Sequence, residues 1–129
     1  MSEAPMISIV DDNAWSREGL KDFVLSLGYR ALAFASAEHF VESGCIADTT
    51  CLIADVQMPG LSGLDLQDYL LSHGHRTPII FITAYPDEKC RSRALGAGAV
   101  GFFSKPFDEE TLIECLALAV TTAGREARS

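Results

Sequence analysis

Residues 52–63 read LIADVQMPGLSG, and how they are read decides the fold. A run of apolar residues ends in an acid, Asp55, and the chain then breaks into Met58, Pro59 and Gly60. A carboxylate at the edge of an apolar core is costly unless something binds it. The run itself, with Cys51, is short, continuous and apolar, as in a strand buried on both faces. Three similar runs lie around it: MISIV (6–10), TPIIFIT (77–83) and AVGFF (99–103), with RALAF (30–34) as a fifth strand.

Helical patterns separate the runs. Leu20, Phe23, Val24 and Leu27 recur at helical spacing, with Asn13 as the cap and Gly28 as the stop. Ser36 and Gly44 bracket a short helix. Leu64, Tyr69, Leu70 and Leu71 mark a third, which Gly74 ends in a left-handed cap. The segment 86–98 offers only Cys90, Ala94 and Leu95 for burial, a thin apolar face. Leu112, Cys115, Leu116, Ala119 and Val120 line the last helix. Strictly alternating strands and helices imply an α/β fold, a parallel sheet with helices on both faces and right-handed crossovers.

The chain has 129 residues, 48% hydrophobic, which suits one domain, expected over 5–122 with a frayed polar tail at 123–129. Its net charge is −8, from 10 basic and 18 acidic residues. That balance opposes non-specific nucleic-acid binding, which needs cations to displace counterions from phosphates. No apolar stretch is long enough to cross a bilayer, and no basic start with an apolar core suggests a secretion signal, so a cytoplasmic location is expected. Cys45, Cys51, Cys90 and Cys115 show no C-x-x-C pairing and read as small apolar fillers. His73 and His75 flank the Gly74 stop and read as part of a helix end, not as metal ligands.

In such a sheet, ligands collect beyond the carboxyl ends of the strands. Those ends supply Asp11 and Asp12, Asp55, Thr83, and Ser104-Lys105-Pro106. Three converging acids repel one another, and a divalent cation removes that difficulty. Few hard oxygen ligands, with room for waters, suit magnesium better than zinc or a closed calcium cage. An acceptor carboxylate, magnesium, a lysine and a hydroxyl suit phosphoryl transfer, with the carboxylate as nucleophile forming an acyl phosphate. No Gly-rich loop followed by Lys-Ser or Lys-Thr supports nucleotide cradling.

In their order, IVDD (9–12), LIADVQMPGLSG, IIFITA (79–84) and FFSKPF (102–107) resemble the receiver domains of two-component response regulators. The likeness runs from about Met6 to Val120, and its general look is that of nitrogen-fixation regulators. It implies a doubly wound five-stranded sheet of order 2-1-3-4-5 with five helices. It also implies that Asp55 is the phosphoacceptor, with Asp12, Asp55 and the main-chain carbonyl of Gln57 binding magnesium and Asp11 acting through water. Thr83 and Lys105 would hold the phosphoryl oxygens, and Lys105–Pro106 would be a cis peptide. Met58, Pro59 and Gly63 match the family's loop.

The same resemblance makes Thr83 and Phe102 a switch pair, acting on the surface of the fourth helix, fifth strand and fifth helix. Phe102 has no hydroxyl, so a partly inward position even without phosphate is expected. Gln57 and Tyr85 fall at the positions that tune phosphate lifetime. The implied partners are a sensor histidine kinase, an output domain or downstream protein, and a second copy on phosphorylation, without nucleic acid or membrane. The expected role is a signalling switch, not an enzyme with a separate substrate, acting in transcription regulation. Lys89, Arg91 and Arg93, with Glu109, Glu110 and Glu114, could pair across a dimer. Rival readings are a haloacid-dehalogenase-type phosphatase, which expects a D-x-D pattern, a receiver that works without phosphate, and a flavodoxin-like carrier.

Overall fold

The computed structural model describes residues 4–128, with side chains in the last helix described through residue 123. Met6–Val10 (β1), Arg30–Phe34 (β2), Cys51–Ala54 (β3), Ile79–Thr83 (β4) and Gly101–Ser104 (β5) form one parallel sheet, in the order β2-β1-β3-β4-β5. Ala14–Ser26 (α1), Ala37–Glu42 (α2), Gly63–Ser72 (α3), Glu88–Gly96 (α4) and Glu109–Arg128 (α5) connect and follow the strands.

Every residue of β3 and β4 is buried, because helices cover both faces of the sheet centre. Alternation along each strand then feeds two cores. Ile7, Ile9, Ile53, Ile80 and Ile82 meet Leu20, Val24, Leu112 and Leu116 on the α1–α5 face. Val10, Leu52, Ala54 and Phe81 meet Phe40, Leu66, Leu70 and Ala94 on the other. Full burial of each large side chain contributes about 1.5–3 kcal/mol against the entropy of ordering the chain. These cores make the sheet a rigid platform for whatever follows its strand ends.

Local chemistry sets the helix starts. Asn13, Ser36 and Asp87 accept from backbone amides in the first turns of α1, α2 and α4. Ser62 and Asp65 form a reciprocal capping box on α3. Asp108 caps α5, accepting from the Thr111 amide at 3.0 Å. Gly74, at φ +78°, ends α3 as expected, and His73 stacks on Tyr69 with ring centroids 4.0 Å apart. All four cysteines are free thiols, and burial pushes Cys51 and then Cys115 upward, away from thiolate chemistry.

Two details depart from the sequence-based expectation. Strand β4 begins at Ile79 and β5 at Gly101, two residues later than the apolar runs suggest, because the ladder pairs Leu52 with Ile79 and Ile80 with Gly101. On α3, Leu71 is 49% exposed, and Gln67 takes the core position instead. Gln67 affords this because its Nε2 donates to the Ala94 carbonyl at 3.1 Å, tying α3 to α4. α5 runs through Arg128, and Ser129 lies outside the described residues.

Candidate functional site

Two strand ends deliver the three acids to one place. Asp11 follows β1 and Asp55 follows β3, and Asp55 extends the ladder by one bond, its amide donating to the Val10 carbonyl at 3.0 Å. Carboxylate oxygens of Asp11, Asp12 and Asp55 all lie within 4.8 Å of one another. Asp11 is 1% exposed and Asp55 8%, whereas Asp12 faces solvent.

Lys105 closes the cluster from the end of β5. Its Nζ donates to Asp11 Oδ2 at 2.9 Å and to Asp55 Oδ2 at 3.0 Å. The Lys105–Pro106 peptide bond is cis. Asp11 has both oxygens engaged, since its Oδ1 accepts from the Asn13 amide at 2.9 Å. Asp55 Oδ1 accepts from the Gln57 amide at 3.2 Å. Burial pushes the Asp55 carboxyl above its ordinary range; Lys105 pulls it back, Asp11 pushes with the burial, and the net direction is upward. For Lys105, burial pulls the ammonium down, but its bonds to Asp11 and Asp55 outweigh that and hold it above the usual lysine value.

Thr83, at the end of β4, is fully buried, and its hydroxyl donates to Gln57 Oε1. The same Thr83 oxygen accepts from the Tyr85 amide at 3.1 Å, and Gln57 Nε2 reaches the Tyr85 carbonyl at 3.4 Å. The loops after β3 and β4 are thus laced together through Gln57 and Thr83. Phe102 is half-buried against the α3–α4 face, its ring centroid 6.3 Å from that of Phe81. Tyr85 projects into solvent.

Two glycines hold the acceptor loop for different reasons. Gly60 sits at φ +75°, a turn conformation that other residues adopt at a cost. Gly63 is needed for space, since a Cβ there would stand 2.2 Å from the Asp55 carbonyl oxygen.

Two contributors carry no sequence signal. Arg17 donates from Nη1 to the Asp11 carbonyl at 2.8 Å, fixing the backbone under the acid pair. Glu38, on α2, accepts from the Leu61 amide at 3.1 Å. Arg17 is six residues from its partner and Glu38 twenty-three, spacings that no local pattern marks. A cleft of about 470 Å³ at the opposite end of the sheet, bordered by Leu70, Arg76, Pro78 and Val100, holds none of these acids.

Three acids against one lysine leave an excess of negative charge that an oxygen-loving dication suits. The donor set therefore fits magnesium, with Asp12 free of any bond that a ligand would have to displace among the described residues.

The family model for the response regulator receiver domain matches residues 7–117. The chain belongs to this family. Response regulator protein TmoT of Ectopseudomonas mendocina is 40% identical over 121 residues, covering 94% of this receiver and 55% of TmoT. Nodulation protein W of Bradyrhizobium diazoefficiens is 38% identical over 127 residues, covering 98% of the receiver and 56% of that protein. Transcriptional regulatory protein FixJ of Azorhizobium caulinodans is 30% identical over 128 residues, in line with the nitrogen-fixation resemblance. The receiver thus spans a little over half the length of these curated relatives.

Among solved structures, response regulator StyR superposes with a TM-score of 0.89 at 36% identity, covering 98% of the receiver and 65% of that chain. FixJ-N superposes at 0.82 with 31% identity, covering 94% and 96%. Receivers are the signalling modules of two-component systems, which work with histidine kinases and output domains. No helix among the described residues is long and apolar enough to cross a membrane.

Proposed function

We propose that Asp55 accepts a phosphoryl group from a sensor histidine kinase, and that the resulting acyl phosphate resets the α4–β5–α5 surface. The observation that carries this reading is the Asp55 carboxylate, held at the end of a fully buried strand with Lys105 on one oxygen and two more acids within reach. A rigid sheet presents a nucleophile with little reorganisation, which is where most of the gain in phosphoryl transfer lies.

In the forward step, an Asp55 oxygen attacks phosphorus as the donor's nitrogen–phosphorus bond breaks. The imidazole leaves and takes up a proton, and the new bond is an aspartyl acyl phosphate. Asp12, Asp55 and the Gln57 carbonyl would hold magnesium, with Asp11 acting through water, and the bound ion would neutralise phosphoryl charge. Lys105 remains on Asp11 and turns its other bond to a phosphoryl oxygen. An open cleft of about 370 Å³, bordered by Trp15, Leu20 and Phe23 on one side and Lys105, Pro106 and Phe107 on the other, lies beside the lysine that bonds the acceptor.

Phosphorylation adds charge and acceptor oxygens where one carboxylate stood. Thr83 leaves Gln57 to donate to the phosphoryl group, and Phe102 follows into the space vacated. The α4 helix fits a movable element, since Ala94 is its one fully buried residue. The output is dimerisation or docking of an output domain that regulates transcription, as the name of FixJ says of that relative. Gln57 and Tyr85 set the lifetime, Gln57 by orienting the attacking water and Tyr85 by shielding. The protein acts in the cytoplasm as a switch, without turnover of a separate substrate.

Intact-mass spectrometry after incubation with acetyl phosphate and magnesium tests this directly. One phosphoryl increment is expected, absent in Asp55→Ala and lost when a chelator is added first. An unphosphorylated but folded wild type with every donor tried would sink the reading.

A further inference from the structure

The loop between Asp55 and α3 carries the Gln57 carbonyl and must stand still for a metal to find it. Its two ends are fastened: Gln57 to Asp55, and Gly63 to the Val56 carbonyl at 2.9 Å. Between them, residues 58–61 have a single hydrogen bond to another element among the described residues, from the Leu61 amide to Glu38 Oε2 at 3.1 Å. Gly60 gives that oxygen its place, since a Cβ at Gly60 would stand 2.3 Å from it. The other Glu38 oxygen, Oε1, is buried with no partner at all.

A half-buried glutamate with one carboxylate oxygen shielded from solvent and unsatisfied is a costly way to hold a helix against a sheet. The field at the start of α2 favours a carboxylate there, but it does not call for the bond to the Leu61 amide. What the buried position does provide is a charge-assisted bond to a backbone amide, roughly twice as strong as a neutral one. It is spent on the middle of the acceptor loop.

We propose that Glu38 is a positioning residue for the acceptor loop: by fixing the Leu61 amide it holds the Gln57 carbonyl at the acid cluster, ready for the divalent cation. This rests on the phosphoacceptor reading above. Glu38 touches neither metal nor phosphate and acts through the loop. Partners one shell removed from a metal commonly change its affinity by 10–100-fold when lost.

The test is magnesium affinity, read from the fluorescence of Trp15, the single tryptophan, which lies 91% exposed three residues after Asp12. Glu38→Ala is expected to weaken magnesium binding about tenfold. It should also raise the magnesium concentration needed for half-maximal phosphorylation by acetyl phosphate, leaving the rate at saturating metal close to wild type. Glu38→Gln keeps a carbonyl oxygen for the Leu61 amide and is expected to restore affinity to within about threefold, because a neutral acceptor is weaker but in place. Gly60→Ala crowds the same carboxylate but also strains the loop at φ +75°, so its effect counts only so far as it fails to add to that of Glu38→Ala. Glu38→Asp, whose shorter side chain falls back from the Leu61 amide, covers the case in which Glu38→Ala does not fold. On metal affinity the double variant should be no worse than the poorer single one.

A Glu38→Ala or Gly60→Ala protein that melts earlier yet binds magnesium as the wild type does would overturn the positioning role alone, leaving Asp55 phosphorylation intact. A wild type that binds no magnesium and takes no phosphate would remove both readings together.

Discussion

Lys105→Ala is expected to melt about 10 °C below the wild type at pH 8, and the gap should shrink as the pH falls towards 4. Among the described residues the lysine is the one cation bonded to the two buried acids, and its removal leaves Asp11 and Asp55 facing each other without it. Breaking a buried pair costs about 3–5 kcal/mol, and the lower end applies here because Lys105 is itself 20% exposed at the mouth. Some 3 kcal/mol corresponds to roughly 10 °C for a domain of this size.

The pH dependence has a definite sign. Lys105 is held above the usual lysine value, so its stabilisation is present throughout the neutral range and fades only as pH rises through that higher value. Asp55 is already pushed up by burial, and removing Lys105 removes what opposes the push. A carboxyl raised in the folded state favours folding when protonated, so the penalty grows as pH climbs through its folded value. Magnesium should narrow the gap at pH 8 only so far as the variant, with the opposing lysine gone, binds it more tightly than the wild type, because bound metal stabilises both proteins by linkage. Differential scanning calorimetry at pH 4, 6 and 8, with and without metal, reads all of this. A gap of equal size at every pH would show that the acids do not drive it.

The second large effect belongs to Gly63→Ala, where adding one carbon is expected to cost about 3 kcal/mol and to slow phosphorylation on the order of a hundredfold. The new Cβ would lie 2.2 Å from the Asp55 carbonyl oxygen and 3.0 Å from the Phe81 ring, and neither is the far end of a flexible side chain. The backbone of the acceptor must move, and overpacking of this kind costs about 1–3 kcal/mol. Displacing a reacting group by an ångström is worth about a hundredfold in rate. Urea denaturation and a time course of intact mass measure the two parts. Wild-type stability with slow phosphorylation would mean the loop moves and the strand does not; wild-type values of both would refute the close-approach account.

Gly63 also shows what kind of information the sequence holds. Its presence in the loop is legible, and the natural reading is a turn residue. The reason it must be glycine lies in the three-dimensional approach of α3 to the end of β3, which no local pattern carries. The strands were legible because burial on both faces forces continuous apolar runs, and β1 and β2 fall where MISIV and RALAF place them. The later starts of β4 and β5 depend on register with a neighbour distant in sequence. Gln67 carries no such signal, because a polar residue on a core face makes sense only beside the Ala94 carbonyl that it meets. Asp11, Asp12, Asp55, Thr83 and Lys105 could be gathered from sequence because each sits at a strand end, and parallel strands all point the same way. The contacts of Glu38 and Arg17, and the bond between Gln57 and Thr83, cross from one loop or helix to another and leave no periodic trace.

The bond between Lys105 and Asp11 joins residues 94 apart, and it forms only once strands from opposite ends of the chain have both entered the sheet. A contact completed only after the barrier is crossed changes the unfolding rate and leaves the folding rate almost untouched. Whatever occupies the acid cluster, lysine or metal, therefore acts mainly as a latch on the finished molecule: it should lengthen the life of the native state by slowing unfolding, while the speed at which the chain first finds its fold stays nearly the same.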